Sequence, residues 1–314
     1  MKLTRKNLII CFIIVIYAIL GCLSVTVRTP MFASQVVMFG ILNGGLYAIV
    51  AIGFSMGITV ARIVNFFHTD LVIFAAYIVF WLYLALNISP FLLIAISTLI
   101  LFSLSVAMYK FPLLKANEKA QTMHMIGPAV LTAFGISLII QNVMINFWGA
   151  DARIIKVEFG SFDLYGIKIP LVRLITTFSA ILLLTVIWLF LRFTRFGKAI
   201  RAIAQDPRAA QTVGINTYRL NMLCFALASA TAGVAGGLIG MIYPFSPESG
   251  LRYLNLSATL VILGGLSIIG TLIAGLLLGV AEAFITCLLG AELKDLLATM
   301  LFIIVVSVRR AFGE

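Results

Sequence analysis

Charge is what this sequence has least of. Of its 314 residues only 11% are Asp, Glu, Lys or Arg, whereas 62% are hydrophobic. A soluble domain of this length needs far more charge to cover its surface, so that class is excluded. No run of five Lys or Arg occurs, so the net charge of +11 does not read as a nucleic-acid tail. In a chain this apolar a basic excess reports membrane topology instead. His68 and His124 are the only histidines and lie far apart, which argues against a metal site. The four cysteines (Cys11, Cys22, Cys224 and Cys287) fall in apolar stretches without a CxxC pair, and read as small apolar filler rather than a disulfide framework. Walker A and HExxH sequences are missing, as are clustered histidine and carboxylate pairs. The chain reads as a non-enzyme that holds no cofactor, and any nucleotide that powers it binds elsewhere.

What is present is a series of apolar runs, each near the roughly 20 residues that cross a bilayer core as a helix. They lie at 8–27, 36–58, 70–86, 90–108, 126–148, 171–191 and 219–241, before a long block at 253–308. The start, Lys2 to Lys6 followed by an apolar run, looks like a signal peptide. That run is too long for one, and no A-x-A site follows, so it reads as a retained first span. Dividing the last block into 253–267, 269–289 and 296–308 places Arg309 and Arg310 in the cytoplasm. The N-terminal cluster, Lys110, Lys115, Lys119 and the basic stretch 192–219 fall there as well. The expected fold is an all-α polytopic membrane protein with one transmembrane domain over 1–314. It has about ten transmembrane or partly spanning helices and both termini cytoplasmic. The loop at 149–170 is then external, and its β-type alternation fits either a small hairpin or a bare connector.

Small residues recur every four positions in two series, Ala228, Ala232, Gly236, Gly240 and Ser229, Gly233, Gly237. Gly275 and Gly279 repeat the spacing, and Gly264 and Gly265 in GGLSIIG are expected to join them in helix packing. In lipid such ladders let backbones approach closely, where packing drives association.

Polar groups inside apolar spans are costly, so each asks for a reason. The richest group is Arg62-Ile-Val-Asn-Phe-Phe-His-Thr-Asp70, preceded by Gly53 and Gly57 that loosen the helix before it. It is either a short solvated turn or a broken helix whose Asn65 and His68 line a pathway. Asn43, Gln141, Asn142 and Asn146 are pathway candidates or interhelical hydrogen bonds, and Glu282 reads as structural.

The segment QDPRAAQTVGIN, residues 205–216, is a polar island between apolar spans. Asp206 is a favourable N-cap, Pro207 suits the first helical position, and Gly214 stands where a left-handed residue ends a helix. Ala209, Ala210 and Val213 give it a small apolar face. So short a helix needs a surface to dock on, its own bundle or another protein.

With its flanks, GKAIRAIAQDPRAAQTVGINTYRLN and FALASATAGVAGGL, this segment resembles the permease subunit of bacterial ABC importers for branched-chain amino acids. NFFHTD resembles that family's Asn-Phe-x-His-Gly-acidic signature, with Thr69 in place of the usual Gly. LGGLSIIGTLIAGLLLGVAEAF resembles its late glycine-rich segment, one residue shorter and without a Pro. The resemblance covers about 40 to 300 and implies a multi-pass protein of the bacterial inner membrane. It implies a second permease chain, identical or homologous, an extracytoplasmic solute-binding protein, and cytoplasmic ATPase subunits that bind ATP and Mg. Coupling to those subunits would fall on Arg201, Asp206, Pro207, Ala209, Ala210, Gly214 and Ile215 within the loop 192–218. Asn65 and His68 would fall on or near the pathway. Branched-chain amino acids are the first expected solute, with urea and amides also in the family. A secondary transporter is the rival class, disfavoured because few ionisable groups lie within the spans.

Overall fold

An apolar run in lipid satisfies its backbone by folding on itself, which makes the α-helix the default. The computed structural model describes residues 30–59, 65–110, 127–157, 160–164, 167–290, 299, 300 and 303. Helices form at α1 (Pro30–Thr59), α2 (His68–Leu86), α3 (Pro90–Met108), α4 (Gly127–Trp148) and α5 (Leu171–Phe193). Two short helices follow, α6 (Arg195–Gln205) and α7 (Pro207–Thr212), and then α8 (Thr217–Ile242), α9 (Ser249–Leu263) and α10 (Ile268–Leu289). Seven of these are long and apolar enough to cross a membrane: α1 to α5, α8 and α10. They match seven of the eight apolar windows from 36–58 to 269–289 to within a few residues, and the eighth, 253–267, corresponds to α9. The windows at 8–27 and, almost wholly, 296–308 lie outside the described residues, so the expected count of ten and both termini lie there too.

The block at 253–308 does divide where the glycines stand. At 15 residues α9 spans only about 22 Å, short of the roughly 30 Å core. It ends in a Schellman turn: Leu266 N–H donates to Val261 O at 3.0 Å and Gly265 N–H to Ile262 O at 3.1 Å. Gly265 takes φ +67°, and the chain reverses into α10. Gly265 builds the turn, and Gly264 lets the end of α9 close on the start of α10, where a β-carbon would overlap the Thr271 amide.

Close contacts group the chain into two units. One draws on Met1–Ala51, Val157–Leu184 and Asn255–Glu314, the other on Ile52–Lys156 and Thr185–Leu254. In the second unit α8 packs against both α2 and α3. The two small-residue series divide that work. A β-carbon on Gly236 would overlap the Val72 carbonyl of α2, whereas one on Gly233 would sit 2.5 Å from Thr98 Cα of α3. Gly237 makes room for Ile94 of α3, and Gly240 for Ile155 and Phe245.

In the first unit α1 crosses α10 through facing glycines. A β-carbon on Gly40 would lie 2.6 Å from Val280 Cα, and one on Gly44 2.6 Å from the Gly275 carbonyl oxygen. On another side of α1, Thr177 of α5 donates to Leu42 O at 3.1 Å beside Gly45. The 149–170 loop contains a hairpin, β1 (Ser161–Leu164) antiparallel to β2 (Ile167–Pro170), with Ser161 opposite Pro170 and Leu164 opposite Ile167.

Candidate functional site

Two places gather the predicted residues of the second unit. The first is the start of α2. The break expected there comes before His68, where Asn65, Phe66 and Phe67 form a turn and His68 N–H donates to Asn65 O at 3.2 Å. Thr69 then continues the helix without a turn. Asn65, His68, Thr69 and Asp70 are all buried, so this is not a solvated turn; Arg62 lies outside the described residues.

Gly53 does not loosen α1, which runs unbroken through it. Its missing side chain makes room for the His68 ring, Thr231 Oγ1 and the Ala228 carbonyl, all of which a β-carbon would meet. Gly53-Phe-Ser-Met-Gly57 also spells the GxSxG of a hydrolase elbow. Such an elbow needs a strand-to-helix turn that exposes the serine, and Ser55 is fully buried in mid-helix.

Asp70 sits in the first turn of α2, where the helix dipole favours a carboxylate. It accepts a hydrogen bond from Ser137 of α4, a partner 67 residues away that sequence spacing gave no reason to suspect. Gly250 of α9 leaves space for the same carboxylate. Asn65 differs. At 2% exposure, both ends of its amide lack a hydrogen-bond partner among the described residues, as does Thr69 Oγ1. A buried polar group left unpaired costs about 1–3 kcal/mol, so it persists where something outweighs the cost. An amide presents a donor and an acceptor together and suits a small polar solute.

The second place is the polar island. Thr194 caps α6, its Oγ1 accepting from Gly197 N–H at 2.9 Å, and Arg201 donates to the Leu191 carbonyl at the end of α5. Asp206 serves two helices. Its N–H closes α6 on Ala202 O at 3.0 Å, while Oδ1 accepts from Ala209 N–H at 3.1 Å and opens α7. A Schellman turn ends α7, with Gly214 N–H on Gln211 O at 3.0 Å, Ile215 N–H on Ala210 O at 3.1 Å, and φ +82° at Gly214. Asn216 then caps α8, accepting from Arg219 N–H at 3.0 Å.

The apolar face expected of α7 splits. Ala210 is 3% exposed and packs with Ile200, Ile203, Leu220 and Cys224, with Ile215 against the same cluster. Ala209 is exposed, and Val213 is 74% exposed. The sequence reading missed α6 itself, although Ile200 and Ile203 alternate with Arg195, Lys198 and Arg201 at helical spacing.

Asn43 belongs to the first unit, where its Oδ1 accepts from Arg173 Nη1 of α5 at 2.7 Å. Gln141 of α4 is half-buried, while Asn142 and Asn146 are exposed and bond back to carbonyls one turn earlier in α4. Among the described residues those two make no interhelical bond through these amides. Glu282 of α10 accepts from the Tyr47 hydroxyl of α1 at 2.7 Å, and both are buried.

The chain is 31% identical over 284 residues to the high-affinity branched-chain amino acid transport system permease protein LivH of Salmonella typhimurium, covering 86% of this chain and 91% of that protein. It is 28% identical over 293 residues to the corresponding permease protein BraD of Pseudomonas aeruginosa, covering 88% and 93%. A probable branched-chain amino acid transport permease protein LivH of Methanocaldococcus jannaschii is 28% identical over 260 residues, covering 78% and 79%. No solved structure matches significantly. The profile described as branched-chain amino acid transport system, permease component, matches residues 36–306, and this multi-pass chain belongs to that family.

Proposed function

We infer that this chain is the membrane-embedded permease subunit of an ABC importer for branched-chain amino acids in the bacterial inner membrane. ATP and Mg are bound by cytoplasmic ATPase partners. A second permease chain completes the pathway, and an extracytoplasmic binding protein delivers the solute. Family membership over residues 36–306 is the observation that carries this reading. The doubly capped α7, with one edge seated and the other exposed, supports a docking role for the 192–218 loop.

In this mechanism the ATPases grip the exposed side of α7 around Ala209 and Val213. Asp206, Pro207, Gly214 and Ile215 bound the helix, Ala210 anchors it on α6 and α8, and Arg201 ties α6 to α5. Closure of the ATPases displaces α7 and shifts the bundle between outward- and inward-facing states. Asn65 and His68 line the pathway near the start of α2, with Asn43 a further polar group along it.

The test is uptake of radiolabelled leucine by the reconstituted importer, measured together with ATP hydrolysis. The double variant Asp206→Ala, Gly214→Val is expected to keep hydrolysing ATP while uptake per ATP falls at least fivefold. Normal coupling in that variant rules out the role assigned to α7.

A further inference from the structure

Three positions on α1, Phe39, Asn43 and Tyr47, recur every four residues and share one face. That face is bracketed on both sides. Gly40 and Gly44 meet α10 on one flank, and Leu42 and Gly45 meet α5 on the other. Each bracketing helix sends one ionisable side chain to it. Arg173 of α5 lies over the Phe39 ring at 5.4 Å and donates to Asn43. Glu282 of α10 accepts from Tyr47.

The depth of these groups follows from side-chain direction. Asn43 and Tyr47 are one turn apart, about 6 Å along the axis. Helical side chains lean toward their own N-terminus, so Tyr47 leans back toward Asn43. Glu282 leans toward Gly279, which faces Gly40 and Gly44. A guanidinium and a carboxylate thus meet one short stretch of α1, each oriented by a neutral hydrogen-bonding group.

α1 and α10 do not need Glu282 to pack, because the glycine crossing already closes one on the other. Charged groups at membrane depth are expensive and mark pathways or ligand sites. On the reading of this chain as an amino-acid permease, we propose that Arg173 and Glu282 form a zwitterion site. Arg173 takes the α-carboxylate, as a planar fork matches it, and Glu282 takes the α-ammonium group. Asn43 and Tyr47 are positioning residues. Urea or a neutral amide has no use for both charges, so the pair selects amino acids among the solutes of this family.

The test uses the complete importer in proteoliposomes, with ATP-driven leucine uptake as the readout and copurification of the ATPase as the check on assembly. Arg173→Gln and Glu282→Gln are each expected to lower uptake at least tenfold, while Arg173→Lys and Glu282→Asp retain about a third. Tyr47→Phe removes the hydrogen bond but leaves the charge, and costs threefold or less. Uptake within twofold of normal in both Gln variants overturns the site, and so does a Tyr47→Phe loss as large as that of Glu282→Gln.

A Gln variant that fails to assemble shifts the test to the unmodified complex. There, leucine is expected to slow carbodiimide modification of Glu282 at least threefold, and 4-methylpentanoate, which lacks the ammonium group, is not. Equal rates with and without leucine overturn the proposal. An unmodified importer that carries a neutral solute but no branched-chain amino acid overturns the functional reading instead.

Discussion

Between Thr194 and Asn216, the helix-end groups find partners a few residues away, and three side-chain caps and a Schellman turn lie within 23 positions. Between Asn65 and Asp70 the opposite holds. The carboxylate borrows a serine 67 residues distant, while the Asn65 amide and the Thr69 hydroxyl have no partner among the described residues. One region spends its polar groups on its own shape. The other keeps two in reserve inside a packed bundle. On the proposed function, that contrast separates a segment that holds its form while being pushed from one that receives a solute.

The comparison can be pressed hardest at Gly53. Gly53→Leu forces a side chain into the space of His68 and Thr231, and is expected to cost about 3 kcal/mol or more, seen as a large fall in the Tm of the purified complex. Next come two substitutions, one within α7 and one just past its end. Ala210→Asp buries a charge in the cluster of Ile200, Ile203 and Leu220 and is expected to destabilise by about 3 kcal/mol. Val213→Asp, on the exposed edge, is expected to leave Tm within about 0.5 kcal/mol while reducing ATPase copurification at least fivefold. Equal Tm losses in the two variants erase the distinction between the seated and free edges.

Asn65→Leu sharpens the other side of the contrast. Removing an amide that has no partner among the described residues is expected to leave stability unchanged or raise it by about 1 kcal/mol, while leucine uptake falls about tenfold. A loss of Tm would mean the amide is structural. The smallest effect belongs to Asp206→Ala alone, about 1 kcal/mol for a lost cap, read as faster amide exchange confined to residues 207–214.

What the sequence discloses follows the range of the interaction. Span positions are written in hydropathy, and the caps of α7 lie within four residues of what they cap, so both could be read directly. The ladders could be read as ladders, but not which neighbour each serves. Assigning Gly233 to α3 and Gly236 to α2 depends on how three helices cross. The Asn43–Arg173 and Tyr47–Glu282 bonds join positions 130 and 235 residues apart, and no local pattern announces them. Gly53 misled for the same reason. Glycine lowers helix propensity, yet here it admits an imidazole from the next helix, and tertiary packing outweighs the local preference. The seam of α1 was available but unread, since Gly40 and Gly44 repeat the spacing noticed at Gly275 and Gly279.

Asp206 is one residue shared by two helix ends, and a joint made that way has no slack. With its amide committed to α6 and its carboxylate to α7, there is no spare peptide between them to absorb a twist. On the proposed function, a push on Val213 would reach Ile200 and Ile203 as rotation of a bent arm. Such an arm would work as a bell crank, trading a small sideways displacement at its tip for a tilt at the foot of α8.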